Sequence, residues 1–251
     1  MAETAYTSEF YENFRSGSSR SAQVVVPIVL ELVQVKTVVD VGCGIGAWLS
    51  EFRKNGVSEI VGLDGDYVDR RLLQIPQDQF TVVDLSAPFN LPRTFDLAVS
   101  LEVAEHLPAS AAEGFVHSLT RLAPVVLFSA AIPFQDGTHH VNEQWPNYWV
   151  RLFKSHDYLP IDCIRPRTWT NADVEFWYAQ NTLVFASAAR IQSDPVLRRE
   201  HEETDIQNLA RVHPRAYLEV AQPGVRAACR QLIKAARRRI QLALHKNDRA
   251  K

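Results

Sequence analysis

The chain has 251 residues, 46% of them apolar and 22% charged, with a net charge of −2 and 10 glycines against 13 prolines. These values exclude collagen-like, low-complexity and largely disordered chains, and the length suits one large domain with an appendage. Three scattered cysteines, Cys43, Cys163 and Cys229, exclude a disulfide framework and a thiolate zinc site and point to a reducing compartment. Residues 1–19 hold Glu3, Glu9, Glu12 and Arg15 without an apolar targeting core, and no apolar run approaches membrane-spanning length, so the expected location is cytoplasmic. Charge is unevenly spread: residues 1–189 carry 13 basic and 22 acidic side chains, whereas residues 190–251 carry 14 and 7. The expected organisation is an acidic body over 1–189 and a basic helical C-terminal extension over 190–251.

After a polar leader, residues 21–35 place Val24, Val25, Ile28, Val29, Leu32 and Val33 at helical spacing, with Pro27 tolerable only near the helix start. Short apolar runs follow at 37–41, 59–63, 80–83, 95–100, 125–131, 161–164 and 182–186. The first five are unbroken and rich in Val, Ile, Leu or Phe, as strands buried on both faces require. Residues 47–55, 109–122 and 145–156 between them are long enough for helices. This alternation predicts an α/β fold, a doubly wound, mostly parallel seven-stranded sheet, with ligands bound beyond the carboxyl ends of the strands.

The first run, Val38-Val39-Asp40-Val41, enters the loop Gly42-Cys43-Gly44-Ile45-Gly46 and then a helix. Glycine belongs where a turn takes positive φ or a ligand meets bare backbone. The loop also satisfies the loose dinucleotide fingerprint, in which a pyrophosphate sits on the helix N-terminus. Asp40 helps separate the two ligands, because its carboxylate repels a pyrophosphate and favours an ammonium or sulfonium group. The second run ends in Asp64, placed to grip a ribose diol, with Asp66 as an alternative; the third ends in Asp84, suited to an adenine amine. Acids closing three successive strands favour S-adenosylmethionine over a nicotinamide dinucleotide.

Taken with the segment F-D-x-x-x-x-x-E-V-x-E-H-L over residues 95–107, these motifs resemble class I S-adenosylmethionine-dependent methyltransferases across residues 21–189. The resemblance implies that Asp40, Gly42, Gly44 and Gly46 line the methionine end of the cofactor. It further implies that Asp64 holds the ribose hydroxyls, that Asp84 meets adenine, and that Leu101 and Glu102 skirt the sulfonium.

If the chain turns helical after the fourth run, Glu102, Glu105 and His106 fall at i, i+3 and i+4 on one face. Such a trio suits a divalent cation, with His139 or His140 as a further ligand. The E-x-x-E-H segment is similar to the metal-holding segment of RNA 3′-terminal 2′-O-methyltransferases and of ubiquinone-pathway O-methyltransferases, and also to that of metal-free relatives. The metal-free arrangement is the favoured expectation, with Glu102 beside the cofactor and Glu105 paired to His106.

Past the fifth run, residues 134–149 bring His139 and His140 together with amides and aromatics, which suits an acceptor wall. Methyl transfer to a hydroxyl needs a base near neutral pH, so His139 and His140 are the first catalytic candidates, followed by His106 and Glu105. Residues 165–181 form a second polar-aromatic stretch whose Trp169, Trp177 and Tyr178 are candidates to stack on sugar or aromatic faces. The two stretches resemble bacterial small-molecule and glycan O-methyltransferases, which implies a small hydroxylated acceptor that carries a sugar or belongs to a natural product. RNA methylation through the basic tail, a nicotinamide-dependent oxidoreductase and a non-enzymatic cofactor-bound scaffold are the alternatives. Residues 222–251 space Val225, Leu232, Ile233, Ile240 and Leu244 among arginines as an amphipathic helix. No aromatics are interleaved to stack bases, so packing on the acidic body or on a second subunit, as a homodimer, is expected in preference to nucleic acid.

Overall fold

The computed structural model describes residues 8–222 and, beyond them, residues 224, 228, 229 and 232. Helix α1 (Ser8–Leu32) starts well upstream of the expected residue 21. Its inner face continues through Ser18, Ser21 and Ala22, all buried, and the Ser21 hydroxyl donates to the Gly17 carbonyl at 2.8 Å. Small and hydroxylated residues on that face hide the periodicity on which a sequence reading depends. Pro27 consequently lies inside the helix, where its missing N–H removes one i→i−4 bond.

There follow β1 (Thr37–Val41), α2 (Ala47–Lys54), β2 (Glu59–Asp64), β3 (Phe80–Val82), β4 (Leu97–Leu101), α3 (Ala112–Leu122), β5 (Val125–Ser129) and α4 (Pro146–Lys154). Then come β6 (Tyr158–Ile161), α5 (Arg165–Thr168), α6 (Phe176–Asn181), β7 (Leu183–Ser187), α7 (Ala188–Ser193), α8 (Pro195–Glu202) and α9 (Pro214–Ala221). The strands form one seven-stranded sheet in the order β3-β2-β1-β4-β5-β7-β6. The pairs among β1 to β5 are parallel, and β7 runs antiparallel to both β5 and β6. The expected mostly parallel seven-stranded sheet is thus the observed one. Strand order reverses between β1 and β4, which is where such sheets open a crevice for ligand.

The unbroken apolar runs have a simple cause. Val38, Leu97, Val99, Val125 and Leu127 pack into a core shared with α1 and α2, while Val39, Ala98, Val126 and Phe128 face the core under α3 and α4. Alternate residues of one strand point to opposite faces, so a strand covered on both sides must be apolar throughout. Under α4 the Phe153 and Phe185 rings stack with centroids 3.9 Å apart.

The sixth strand lies earlier than the expected 161–164, at Tyr158–Ile161, on the sheet edge where Pro160 needs no ladder N–H. Cys163 and Ile164 are buried in the turn that leads to α5. Arg165 is fully buried there: its Nε and NH2 donate to the two Asp162 carboxylate oxygens at 2.7 and 2.6 Å, and NH1 donates to the Leu209 carbonyl at 2.7 Å. The backbone divides into two compact units, Met1–Arg211 and Val212–Lys251. Ile191, Leu197 and Leu209 are buried in the first, so its core runs past residue 189, where the charge profile changes sign. Two caps carry the chain past β7: Ser187 accepts from the Arg190 N–H, and Asp194 accepts from those of Val196 and Leu197. Most of the basic tail, including Arg237, Arg238 and Arg239, lies outside the described residues. Among the described residues no helix is long and apolar enough to cross a membrane.

Candidate active site

The glycine loop turns β1 into α2 through three left-handed residues, Gly42, Gly44 and Gly46, with φ of 84°, 53° and 82°. A Cβ on Gly42 would lie 2.3 Å from Val103 Cγ2, whereas one on Gly44 would meet nothing within 4 Å. The loop is thus tight where it backs onto the chain after β4 and bare at Gly44. Asp64, at the end of β2, accepts hydrogen bonds from the Gly44 N–H at 2.6 Å, the Gly65 N–H at 2.7 Å and the Tyr67 hydroxyl.

Asp40 is buried, and its Oδ2 has no hydrogen-bond partner. Burial holds its carboxyl well above the ordinary range, and the neighbouring Asp64 pushes it further. Burial also raises Asp64, against the hydrogen bonds from Tyr67, Gly44 and Gly65. The Cys43 thiol is raised by burial and by both acids, which leaves it protonated and unreactive. A buried carboxyl with one unpartnered oxygen, beside a second acid and a bare glycine turn, fits a ligand with a cationic group, as S-adenosylmethionine has. Asp84 lies just past β3, exposed; it accepts from the Ser86 hydroxyl and N–H, which lower its pKa.

After β4 the expected helical face does not form. Residues 104–106 make only one 3-10 turn, and Glu102 adopts φ 56°, a left-handed conformation that costs a non-glycine residue about 1–3 kcal/mol. A closed set of contacts holds it there. Its N–H donates to the Ser129 hydroxyl at 3.0 Å, and its carboxylate accepts from Gln135 Nε2 and Asn181 Nδ2, each at 3.0 Å. Asn181 Nδ2 and Gln180 Nε2 both donate to Gln135 Oε1, at 2.9 and 3.0 Å. Burial raises the Glu102 pKa against the hydrogen bonds from Asn181, Ser129 and Gln135.

Glu102 therefore leaves the expected trio, and His140 takes its place. Ligand atoms of Glu105, His106 and His140 all lie within 4.8 Å of one another. Glu105 is fully buried and neither carboxylate oxygen has a hydrogen-bond partner, so the expected Glu105–His106 ion pair is not formed. Burial raises the Glu105 carboxyl well above the ordinary range, and the Glu102 charge adds to it. His106 is lowered to about 4, by burial first and by His140 next, so its imidazole is neutral at neutral pH. The His106 and His140 rings meet edge to face with centroids 4.9 Å apart. His139 is exposed with φ 60°, and its backbone hydrogen-bonds His106.

A residue that the sequence reading missed organises the segment between β5 and α4. The Glu143 carboxylate accepts from the Phe134 and Asp136 N–H groups, each at 2.9 Å, and meets His140 Nδ1 at 3.0 Å. Burial works to raise Glu143, yet the hydrogen bonds from His140, Phe134 and Asp136 hold it below the ordinary carboxylate range. Its only sequence signal is the i,i+3 spacing from His140. Phe134, Val141 and Trp145 of the same segment remain exposed. Of the aromatics expected to stack on acceptor, Tyr178 belongs to the interior instead. It is 2% exposed, its hydroxyl pairs with that of Ser18, and its ring meets Trp48 edge-on.

A family model described as a methyltransferase domain matches residues 15–167, more than half of the chain. No curated protein sequence matches the chain. Among solved structures, Streptomyces venezuelae DesVI is similar with a TM-score of 0.54 and 14% identity, over 74% of this chain and 100% of that one. Magnesium protoporphyrin IX methyltransferase (ChlM) from Synechocystis PCC 6803, with bound SAH, gives 0.53 and 17% identity over 74% and 90%. CalS10, an amino pentose methyltransferase from Micromonospora echinaspora with bound SAM, gives 0.51 and 15% identity over 75% and 100%. At these identities the structural likeness concerns the fold, while the family match covers both the glycine loop and the Glu105–His106 segment. The nicotinamide alternative is set aside, and the chain belongs to the methyltransferase-domain family, whose cofactor is S-adenosylmethionine.

Proposed function

We propose that the enzyme methylates a hydroxyl oxygen of a small acceptor that carries a sugar or belongs to a natural product. The observation that carries this reading is the imidazole of His140, hydrogen-bonded to Glu143 and grouped with His106 and Glu105. An oxygen nucleophile needs such a base and an amine does not. The cofactor supplies an electrophilic methyl group when bound. Asp40 and the Gly42, Gly44 and Gly46 backbone would hold its methionine end, Asp64 its ribose and Asp84 its adenine, with Leu101 and Glu102 alongside. His140 takes the hydroxyl proton, neutral His106 offers the acceptor a hydrogen bond, and the exposed Phe134, Val141 and Trp145 supply apolar contact for a sugar face or ring system. His139 is the second candidate for the base. The amino pentose substrate named for CalS10 supports a sugar-bearing acceptor.

A second reading rests on Glu105, whose unpartnered oxygens lie with two histidine nitrogens in a donor set that suits a divalent cation. Glu105, His106 and His140 would be its ligands, and it would acidify the acceptor hydroxyl. The test uses methyl-deuterated cofactor with pooled glycans and natural-product extracts, followed by mass spectrometry with and without chelator. Label on oxygen that survives chelation supports the metal-free enzyme. Loss restored by Mg²⁺ or Mn²⁺ supports the cation, and label found only on nitrogen sinks the hydroxyl reading.

A further inference from the structure

We infer that Glu143 is the positioning residue of His140, fixing which ring nitrogen carries the proton and which is left basic. This deepens the proposed function and rests on its reading of His140 as the proton acceptor. Two backbone N–H groups already donate to Glu143, from Phe134 and Asp136, so its carboxylate is held as an acceptor-only group. At 3.0 Å from Glu143 Oε1, His140 Nδ1 must therefore be the donor. A neutral imidazole has one proton and one lone pair, and with Nδ1 protonated the lone pair falls on Nε2.

Packing on the ring holds it where Nδ1 meets Glu143. A Cβ on Gly137 would lie 2.2 Å from His140 Nε2 and 2.3 Å from Cε1, so the imidazole packs face-on against bare backbone that only glycine provides here. The ring also meets that of His106 edge to face. One carboxylate thus performs two tasks. It ties Phe134 and Asp136, both in left-handed conformations with φ of 70° and 62°, into the acceptor-side loop, and it sets the tautomer of the imidazole on that loop. In the proposed reaction the methyl group passes from the sulfonium to the acceptor oxygen, leaving adenosylhomocysteine, and the hydroxyl proton leaves by way of His140 to solvent.

The test is two-dimensional ¹⁵N–¹H NMR of [¹⁵N]histidine-labelled full-length protein in chelator, with the His140 signals identified by their loss in His140→Gln. The wild type is expected to give the pattern of an Nδ1-protonated, Nε2-bare ring, and Glu143→Ala is expected to shift that pattern towards the other tautomer. An Nε2-protonated ring in the wild type overturns the inference, and this result needs no variant of Glu143 to fold. A wild-type pattern that Glu143→Ala and the milder Glu143→Gln both leave unchanged also overturns it. The two readings fail separately. Undiminished methylation by His140→Ala removes the base while leaving the tautomer result standing, whereas a wrong tautomer with methylation lost in His140→Ala removes only Glu143.

Discussion

Gly42 and Gly44 differ by what surrounds them, and the difference is measurable. Both need a left-handed backbone, so alanine at either costs about 1–3 kcal/mol in conformational strain. At Gly42 the new methyl would also meet Val103, whereas at Gly44 it enters open space. Thermal denaturation should therefore show Gly42→Ala as the less stable variant, while Gly44→Ala mainly weakens adenosylhomocysteine binding; equal melting temperatures would contradict the packing account. Asp40 gives a pH test. Its pKa is raised in the free protein by burial and by Asp64, so its contribution to stability is present below the ordinary carboxyl range and is lost as pH rises through the raised value. A cationic ligand favours the ionised form, so binding must release a proton and S-adenosylmethionine affinity should rise with pH. Calorimetry in buffers of different ionisation heat measures that proton directly, and Asp40→Asn should abolish the dependence. The turn at Gly42 and Gly44 and the acids at the ends of neighbouring strands were legible in the sequence because glycine spacing and strand-end acids are local signals. Glu102 was not, because Ser129, Gln135 and Asn181 come from other segments and together turn it away from the face that i,i+3,i+4 spacing gives it.

The strands that line the site were read correctly because burial on both faces leaves unbroken apolar runs, as in β1, β4 and β5. Where a helix buries serine and alanine, as α1 does at Ser18, Ser21 and Ala22, the same reading fails. The turn between β6 and α5 hides another long-range feature, the Arg165–Asp162 pair that also reaches the Leu209 carbonyl. Among the described residues, Arg165→Ala would leave Asp162 a nearly buried charge with Arg211 at 3.7 Å to offset it. The expected loss is about 3–5 kcal/mol of stability in urea denaturation, and a loss below about 1 kcal/mol, the size of an exposed ion pair, would mean that the site is open to water.

At the scale of the whole chain, the charge profile placed the boundary at residue 189, whereas burial carries the larger unit on to Arg211. Charge reports where solvent-facing side chains change sign; Ile191, Leu197 and Leu209 report where the core ends. Truncation after Arg211 should leave a folded protein that binds adenosylhomocysteine, and truncation after Ala189 should not, as circular dichroism and calorimetry would reveal. A third truncation addresses RNA: salt-dependent RNA affinity lost on truncation after Ala221 would assign the basic tail a nucleic-acid role. The central claim joins the two halves of the site, cofactor on the glycine loop and acceptor proton on His140. Its most direct test compares turnover with adenosylhomocysteine affinity in His140→Ala, using the acceptor pool on which the wild type is active. The account predicts turnover reduced roughly 10²–10⁴-fold with affinity nearly unchanged. Full turnover, or a loss of affinity matching the loss of rate, would contradict it.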